Sequence, residues 1–239
     1  MSAPFAGHTV VVTGASSGIG RALATALVAR GAHVCAAARG RAALQALADA
    51  IGPALHPVVA DVSDAAAVDQ LVAAAAATGA PLLAVINNAG LGHVEPFLAS
   101  DPTRWRATLD TNLVGALLVA RAFLPTLLAA GRGAVLNVGS ASASGWPYLT
   151  LYAASKAALH AASLALDREY AGRGVRVLSV EVGPTADTGF GAHSDPAHLP
   201  AAAQAWTALD IPWRVDVRTP AESAESILAA LAAGLADQA

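Results

Sequence analysis

The 239-residue sequence predicts an α/β fold, a doubly wound parallel β-sheet with helices on both faces. Short β-type runs alternate strictly with Ala- and Leu-rich helical stretches along the chain. Such alternation indicates right-handed βαβ units, and the continuous apolar character of the strand runs indicates strands buried on both faces. Because no linker or change of composition divides the chain, residues 1–239 are predicted to form a single domain.

The elements are predicted from these runs in order. The strands are predicted at 8–13, 33–37, 55–60, 82–87, 134–138 and 175–181. The helices are predicted at 18–30, 41–50, 64–78, 102–130, 150–171 and 221–239. Residues 61–64 supply capping side chains before the third helix, and glycines follow several helix ends, as helix boundaries favour.

Residues 184–220 break the alternation, and we call them the lid segment. They are rich in proline and glycine, contain Trp206 and Trp213, and show no clear periodicity apart from an Ala-rich piece at 201–209. Long irregular segments in compact domains often serve as lids or binding loops. The sequence therefore predicts a substrate loop or lid at this point.

Charge and composition argue against several classes of function. The net charge is −3 and the pI is near 6.1, so the chain lacks the basic footprint that nucleic-acid or anionic-membrane binding requires. The N-terminus lacks the segments of a signal peptide, and Arg121 and Pro125 interrupt the apolar window 113–130, which indicates a buried helix. We expect a cytoplasmic protein that binds neither nucleic acid nor membrane.

The sequence offers neither an internal disulfide nor a metal site. Cys35 is the only cysteine and lies in an apolar run, so we expect a buried side chain rather than a reactive thiol. His193 and His198 lack carboxylate or cysteine partners at useful spacing. No bound metal is predicted.

A glycine-rich turn joins the first predicted strand to the first helix. Glycines allow a sharp turn and close approach to a pyrophosphate, and the free N–H groups at a helix start attract anions. Taken alone, the feature also fits a plain tight turn. The predicted phosphate-binding residues are Gly14, Ser16, Ser17, Gly18, Ile19 and Gly20.

The end of the second strand indicates which nicotinamide nucleotide is bound. A carboxylate there would bind the adenosine ribose hydroxyls and repel a 2′-phosphate, but this chain has Arg39 and Arg41 instead. Arginine pairs well with phosphate, so Arg39 predicts a preference for NADP(H). Arg41 also fits a solvated residue at a helix start.

Tyr152 and Lys156 are four residues apart on a predicted helix and hence on one face. A tyrosine with an ordinary pKa of about 10 is a poor base at neutral pH. A lysine ammonium one turn away is expected to lower the pKa of that phenol and make acid/base chemistry accessible. Taken alone, such a pair is usually part of an amphipathic helix surface.

These features occur in order together with Asp61-Val62, Asn87 to Gly90, Asn112 and a serine cluster at 140–144. The ordered set resembles the short-chain dehydrogenase/reductase superfamily over about residues 7–184 and the final helix. The resemblance implies a Rossmann-like NAD(P)-binding domain. It also implies an NADP(H)-dependent oxidoreductase that interconverts a carbonyl and an alcohol on a small-molecule substrate.

The resemblance implies a role for each matching residue. Tyr152 would exchange a proton with the substrate oxygen, and Ser140 would hydrogen-bond that oxygen. Lys156 would lower the tyrosine pKa and hold the nicotinamide ribose. Asn112 would bend its helix and hold a water in a proton relay to Lys156.

The resemblance also implies a set of cofactor contacts. Asp61 would bind the adenine amino group, with Val62 beside the ring, and Asn87 would brace the central strands. The ribose and nicotinamide side would be lined by Asn88, Ala89, Gly90, Gly183 and Thr185.

Three departures from the family pattern qualify these expectations. Ser140 lies twelve residues before Tyr152 rather than the usual thirteen, which leaves Ser142 as the alternative serine. The usual threonine position after the sixth strand falls on Asp187, with Thr188 one residue later. The resemblance implies a homodimer or homotetramer. The common C-terminal strand is not visible, so a tetramer formed through it is in doubt, whereas dimerisation through the two long helices stays open.

Two further points stay open from the residues alone. Trp146, Tyr148, Phe190, Trp206 and Trp213 are candidates for an apolar substrate pocket, but each also fits a core position. A nucleotide-sensing regulatory protein on the same fold is the alternative function, although such proteins typically lose the tyrosine or the lysine. An epimerase or dehydratase is a second alternative, for which 239 residues leave little room.

Overall fold

The structure is a computed structural model that describes residues 4–191 and 194–237. Its centre is one parallel sheet of six strands in the order β3-β2-β1-β4-β5-β6, which confirms the predicted doubly wound topology. The strands are β1 Thr9–Thr13, β2 His33–Ala38, β3 Leu55–Val59, β4 Leu82–Asn87, β5 Gly133–Val138 and β6 Val175–Val180.

Helices cover both faces of this sheet, as predicted. They are α1 Gly18–Ala29, α2 Arg41–Ile51, α3 Ala65–Ala77, α4 Pro102–Leu109, α5 Ala116–Ala130, α6 Thr150–Glu169, α7 Leu199–Ala208 and α8 Pro220–Ala236. Alternate strand residues serve the two faces: Val10 packs with α1 and α8, whereas Val11 packs with α3 and α5. The sheet is therefore enclosed between two apolar layers.

The edge strand β3 is less buried than predicted, since all strands were expected to be buried on both faces. Its residues alternate between buried or partly buried and exposed positions, and Val59 is an exposed hydrophobic residue. Pro57 lies in this strand, where the missing N–H is tolerated because one edge of β3 has no neighbouring strand. The prediction was wrong here because apolar composition does not distinguish a central strand from an edge strand.

The predicted helix 102–130 is interrupted at its centre. Residues Asp110–Gly115 form a π-helical turn between α4 and α5, which is the local distortion expected at Asn112. The whole stretch is long and apolar enough to span a membrane by length and composition alone. Its residues Phe123 and Leu127 are nevertheless fully buried against the sheet, as a core helix requires.

In the described part of the lid segment, α7 lies at the place of the predicted Ala-rich piece, and a short 3-10 helix, Pro196–His198, precedes it. The segment ends where Thr219 caps α8 in a reciprocal capping box with Glu222. Thr185 and Arg218 form an isolated parallel bridge that ties the two ends of the segment together. Among the described residues the chain adds no seventh strand to the sheet, and α8 packs on α1 instead.

Candidate active site

A cleft of about 820 Å³ lies at the carboxyl ends of the strands. It brings together most of the residues singled out from the sequence, from the glycine turn at one end to Tyr152 at the other. The predicted site residues in its lining are Gly14, Ser16, Ser17, Ile19, Arg39, Asp61, Val62, Asn88, Ala89, Gly90, Ser140, Tyr152, Lys156, Gly183 and Thr185. The predicted residues Gly18, Gly20 and Asn112 lie behind this lining.

The glycine turn is shaped by close backbone packing. Gly14 and Gly18 have φ values of +67° and +49°, in the left-handed region that favours glycine. A Cβ at Gly20 would overlap the carbonyl oxygen of Gly14, and one at Gly14 would lie 2.8 Å from Cα of Ala89. The turn thus brings bare backbone and the start of α1 to the cleft, which is the geometry a pyrophosphate needs.

Arg39 and Asp61 face each other across the ends of β2 and β3. Their side chains are 3.9 Å apart, and the Arg39 side chain is 60% exposed, so its guanidinium is accessible from the cleft. Hydrogen bonds from the Ser63 hydroxyl and N–H keep the pKa of Asp61 below its ordinary value, with a smaller contribution from Arg39. The pair presents one cation and one anion at this end of the cleft.

The segment after β4 is fastened to β1 by hydrogen bonds. The N–H groups of Asn88 and Ala89 both donate to Oγ1 of Thr13, at 3.0 Å each, and the Asn88 amide donates to the Thr13 carbonyl. Asn87 donates through its amide to Ala116 and to Asn137, as a brace between central elements would. Residues 88–90 are thereby held along the cleft wall.

Asn112 is buried in the π-helical turn and is held on both sides. Its Oδ1 accepts from the Leu91 N–H at 2.7 Å, and its amide donates to the Leu91 carbonyl and to the Ser155 hydroxyl. The side chain therefore fastens the loop after β4 to helix α6. It thereby positions Leu91 and α6.

Ser140, Tyr152 and Lys156 meet at the other end of the cleft. Ser140 lies two residues after the end of β5, and its hydroxyl hydrogen-bonds the phenol of Tyr152 on α6. Ser142 is buried, and its hydroxyl lies 3.0 Å from that of Ser140. The Nζ of Lys156 donates to the Val138 carbonyl at 2.7 Å and lies 5.8 Å from the centroid of the Tyr152 ring.

The pKa of Tyr152 differs from the sequence expectation. Burial raises the pKa of the phenol, and the hydrogen bond with Ser140 opposes that rise. Lys156 was expected to lower this pKa, but in this structure its ammonium points to a carbonyl, and burial lowers its own pKa to about 8. The sequence showed that Tyr152 and Lys156 are spaced one helical turn apart. It did not show that both side chains are buried, and burial is what shifts their pKa values.

The loop after β6 supplies the remaining wall. Thr185 donates to the Gly183 carbonyl and pairs with the Ser223 hydroxyl, so its side chain is fixed against α8. Of the two candidates for the usual threonine position, Thr188 lines the cleft, whereas Asp187 is exposed and stands outside the lining. Thr188 also packs directly on the glycine turn, because a Cβ at Gly18 would lie 2.9 Å from its Cα.

The aromatic candidates divide into two groups. Trp146, Phe190, Trp206 and Trp213 line the cleft, whereas Tyr148 lines a small neighbouring pocket with His93. Among the described residues, no group of three or more histidine, cysteine or acidic side chains is arranged to hold a metal ion. The histidine named at position 193 lies outside the described residues, and Cys35 is buried as expected.

Comparison with known proteins decides the family. The profile described as short chain dehydrogenase matches residues 8–198, most of the chain. The chain belongs to the short-chain dehydrogenase family. The family's glycine turn, serine, tyrosine and lysine therefore occupy one cleft in this short-chain dehydrogenase.

Relatives of this short-chain dehydrogenase act on diverse substrates. It is 39% identical over 181 residues to galactitol 2-dehydrogenase (L-tagatose-forming) of Cereibacter sphaeroides, covering 74% of this chain and 71% of that one. It is 35% identical over 184 residues to the NADP-dependent 3-hydroxy acid dehydrogenase YdfG of Salmonella typhi, covering 76% and 74%. The closed form of serine dehydrogenase complexed with NADP⁺ superposes with a TM-score of 0.79 at 30% identity, covering 92% and 87%.

Sequence reasoning missed several residues that line the cleft of this short-chain dehydrogenase. Gly92, Val94, Leu149 and Leu199 face the same space as Tyr152 but belong to no motif. Gly92 alone carried a usable signal, because glycine permits close approach of another group. The others are ordinary apolar residues, and tertiary packing rather than a local motif brings them to the site.

Proposed function

We propose that this short-chain dehydrogenase is an NADP(H)-dependent oxidoreductase that interconverts a carbonyl and an alcohol. The observation that carries the proposal is the meeting of Ser140, Tyr152 and Lys156 in the same cleft as the glycine turn. A regulatory role without catalysis is disfavoured by the same observation, since tyrosine, serine and lysine are all retained in one enclosed site.

The cleft fits a dinucleotide at both of its ends. The bare backbone of the glycine turn suits a pyrophosphate, and the exposed Arg39 suits a 2′-phosphate. The solved serine dehydrogenase binds NADP⁺, and the YdfG relative is NADP-dependent, which supports the same choice here. When bound, the nucleotide would supply or accept the hydride.

The chain's own residues then handle the proton and the substrate oxygen. With its pKa raised by burial, the Tyr152 phenol keeps its proton at neutral pH and can donate it to the oxygen of a carbonyl under reduction. Ser140, in contact with the phenol, hydrogen-bonds that same oxygen and stabilises its developing charge. In alcohol oxidation the proton returns to Tyr152.

Lys156 and Asn112 complete this arrangement. The Lys156 ammonium is fixed by the Val138 carbonyl beside the phenol and is placed to hold ribose hydroxyls. Asn112 is a positioning residue, because its side chain fastens Leu91 and α6. Its further proposed role is to hold a water on a proton path to Lys156. The protein thereby provides position and electrostatics for the reaction.

The exposed apolar side chains Val114 and Leu164, on the π-helical turn and α6, support a homodimer. Two copies joined through the α5 and α6 region would cover both side chains. We place such a dimer in the cytoplasm, where its small-molecule substrate and NADP(H) would be available.

The acid/base assignment is tested with Tyr152→Phe. Removal of the phenolic hydroxyl should lower kcat for carbonyl reduction by about 10²–10⁴-fold, because the proton donor is lost. NADPH binding, followed by nucleotide fluorescence, should be nearly unchanged. Turnover is read from loss of NADPH absorbance across a panel of ketones and aldehydes.

The two serines provide a matched comparison for the same assay. Ser140→Ala removes the hydroxyl that contacts Tyr152, whereas Ser142→Ala removes its buried neighbour, so the first change should cost more activity than the second. Full activity of Tyr152→Phe would refute the acid/base role, and a larger loss for Ser142→Ala would transfer the serine role to that residue.

A further inference from the structure

Four aromatic side chains form a wall beside the acid/base tyrosine. Trp146 precedes α6, Phe190 and Trp213 belong to the lid segment, and Trp206 lies on α7; we call these four the aromatic wall. The Trp206 ring centroid is 5.8 Å from that of Trp146 and 5.6 Å from that of Trp213. The Phe190 ring meets Tyr152 edge-on at 4.7 Å, so the wall extends to the phenol.

The polar atoms of this wall are already engaged within the protein. The indole N–H of Trp206 donates to the Pro147 carbonyl at 2.7 Å, and that of Trp213 donates to the Thr207 hydroxyl at 3.2 Å. Val94 and Leu149 are buried in the same cluster. A ligand placed against the wall therefore meets ring faces and methyl groups rather than hydrogen-bond donors.

The charged side chains of the described cleft lining are each engaged within the protein. Among the described lining residues the charged side chains are Arg39, Asp61 and Lys156. Arg39 and Asp61 pair with each other at the ends of β2 and β3, and Lys156 donates to Val138. Arg214 stacks 4.0 Å above Trp213 but is exposed and is not part of the lining.

Phe190 owes its place beside Tyr152 to a glycine. A Cβ at position 92 would overlap the Phe190 ring, so only glycine at this position allows the ring to approach the phenol. Phe190 comes from the lid segment, is 46% exposed and lines the cleft in contact with the phenol ring. A substituent on a carbonyl held by Tyr152 would have to lie against this ring.

Building on the proposed function, we infer that the substrate is an uncharged ketone or aldehyde that carries a bulky apolar group, such as an aryl ring. That group packs on the aromatic wall, and Phe190 determines the preference. A carboxylate packed on the wall would have no cation among the described lining residues near it other than Lys156, whose ammonium is held by the Val138 carbonyl. An unpaired buried charge costs several kcal/mol. Hydroxy acids and polyols, for which the relatives are named, are thereby disfavoured.

The inference is tested with two substrates that differ in charge but share the same reacting group. Ethyl benzoylformate and benzoylformate both place a ketone beside a phenyl ring, and only the second carries a carboxylate. We expect kcat/KM with NADPH to favour the ester by at least about 100-fold, from the cost of an unpaired buried charge. Equal values, or a preference for the acid, would overturn the inference.

Phe190→Arg provides a gain-of-function test of the specificity residue. A second cation beside Tyr152, on the lid side and not held by the Val138 carbonyl as Lys156 is, should raise kcat/KM for benzoylformate and lower it for the ester, shifting the ratio by about 10-fold or more. Leu209→Arg is the matched control, because Leu209 also belongs to the lid segment, is 62% exposed and lies outside the cleft lining. An unchanged ratio in Phe190→Arg would remove Phe190 from the specificity determinants.

Ligand binding separates failure of this inference from failure of the proposed reaction. Three of the four tryptophans line the cleft, so quenching of tryptophan fluorescence reports occupancy without turnover. Tighter binding of the ester without any NADPH consumption would support the substrate class and refute the reaction. Turnover of both compounds, together with equal binding of the two, would support the proposed reaction and refute the substrate class.

Discussion

Lys156 is the only lysine in the chain, and it is buried with its ammonium bonded to the Val138 carbonyl. Burial lowers its pKa from 10.5 to about 8, which corresponds to about 3 kcal/mol. Because the folded-state pKa lies below the unfolded value, the charged lysine destabilises the fold below pH 8. That penalty disappears as the pH rises toward the ordinary lysine pKa.

Lys156→Met should therefore make the protein more stable and inactive. At pH 7 we expect the free energy of unfolding to rise by about 1–2 kcal/mol, since the gain from removing a buried charge is partly offset by the unpaired Val138 carbonyl. The advantage should shrink between pH 8 and pH 10. Urea unfolding of the variant and the wild type at pH 7 and at pH 10 measures this difference in the free energy of unfolding.

The single lysine also allows its pKa to be read directly. With isotope-labelled lysine, NMR would follow one side-chain signal as a function of pH. A midpoint near the ordinary value of 10.5, together with a Lys156→Met variant no more stable than the wild type, would contradict the account of a destabilising buried ammonium.

Residue identities in the site were predictable from the sequence, but their electrostatics were not. Tyr152 and Lys156 are a turn apart on one helix, which spacing alone reveals. The rise in the pKa of Tyr152 comes from enclosure, and the bond to Ser140 joins residues on different elements. The approach of Phe190 to Gly92 likewise depends on how the lid segment packs, about which local sequence carries little information.

At the scale of elements, the carboxyl end of β2 fixes the cofactor preference. Arg39 directly follows this strand and lines the cleft, whereas Arg41 begins α2, is exposed and stands outside the lining. The same strand end would carry a carboxylate in a protein selective for the ribose hydroxyls of NAD. One side chain at one strand end can therefore distinguish the two nucleotides.

Arg39→Glu should reverse or abolish a preference for NADPH over NADH. Loss of a charge-assisted bond to the 2′-phosphate and the added repulsion should weaken NADPH binding by about 10–100-fold. Dissociation constants for both nucleotides measure the change. Arg41→Glu serves as the control and should leave the ratio nearly intact; an equal effect of both substitutions would argue for general charge rather than a specific contact.

Some elements followed from the sequence and others depended on tertiary contacts. The glycine turn, α6 and the six strand positions were predicted within a few residues, because apolar runs and glycine punctuation determine them locally. The half-exposed pattern of β3 depends on its edge position in the sheet. The position of α7 depends on the Trp206 bond to Pro147, 59 residues away in sequence.

At the scale of the whole molecule, the described sheet ends at β6, and α8, the last described helix, packs against α1. Subunit contacts through a further strand are therefore not available among residues 4–191 and 194–237. The remaining apolar surface includes Leu164, which is 45% exposed on α6, and Val114 on the π-helical turn, which packs against α6. This region is the expected dimer interface.

Leu164→Arg should accordingly convert a homodimer into a monomer. A charge introduced into the apolar centre of a symmetric contact appears once from each copy, so the cost doubles, and the dimer dissociation constant should rise by about 100-fold or more. Light scattering during size-exclusion chromatography over a concentration series measures the mass. Leu98→Arg is the matched control, since Leu98 is 98% exposed on the turn Phe97–Ala99, far in sequence from α6. A wild-type protein that is monomeric throughout, or a Leu164→Arg variant that dimerises as tightly as the control, would place the contact elsewhere.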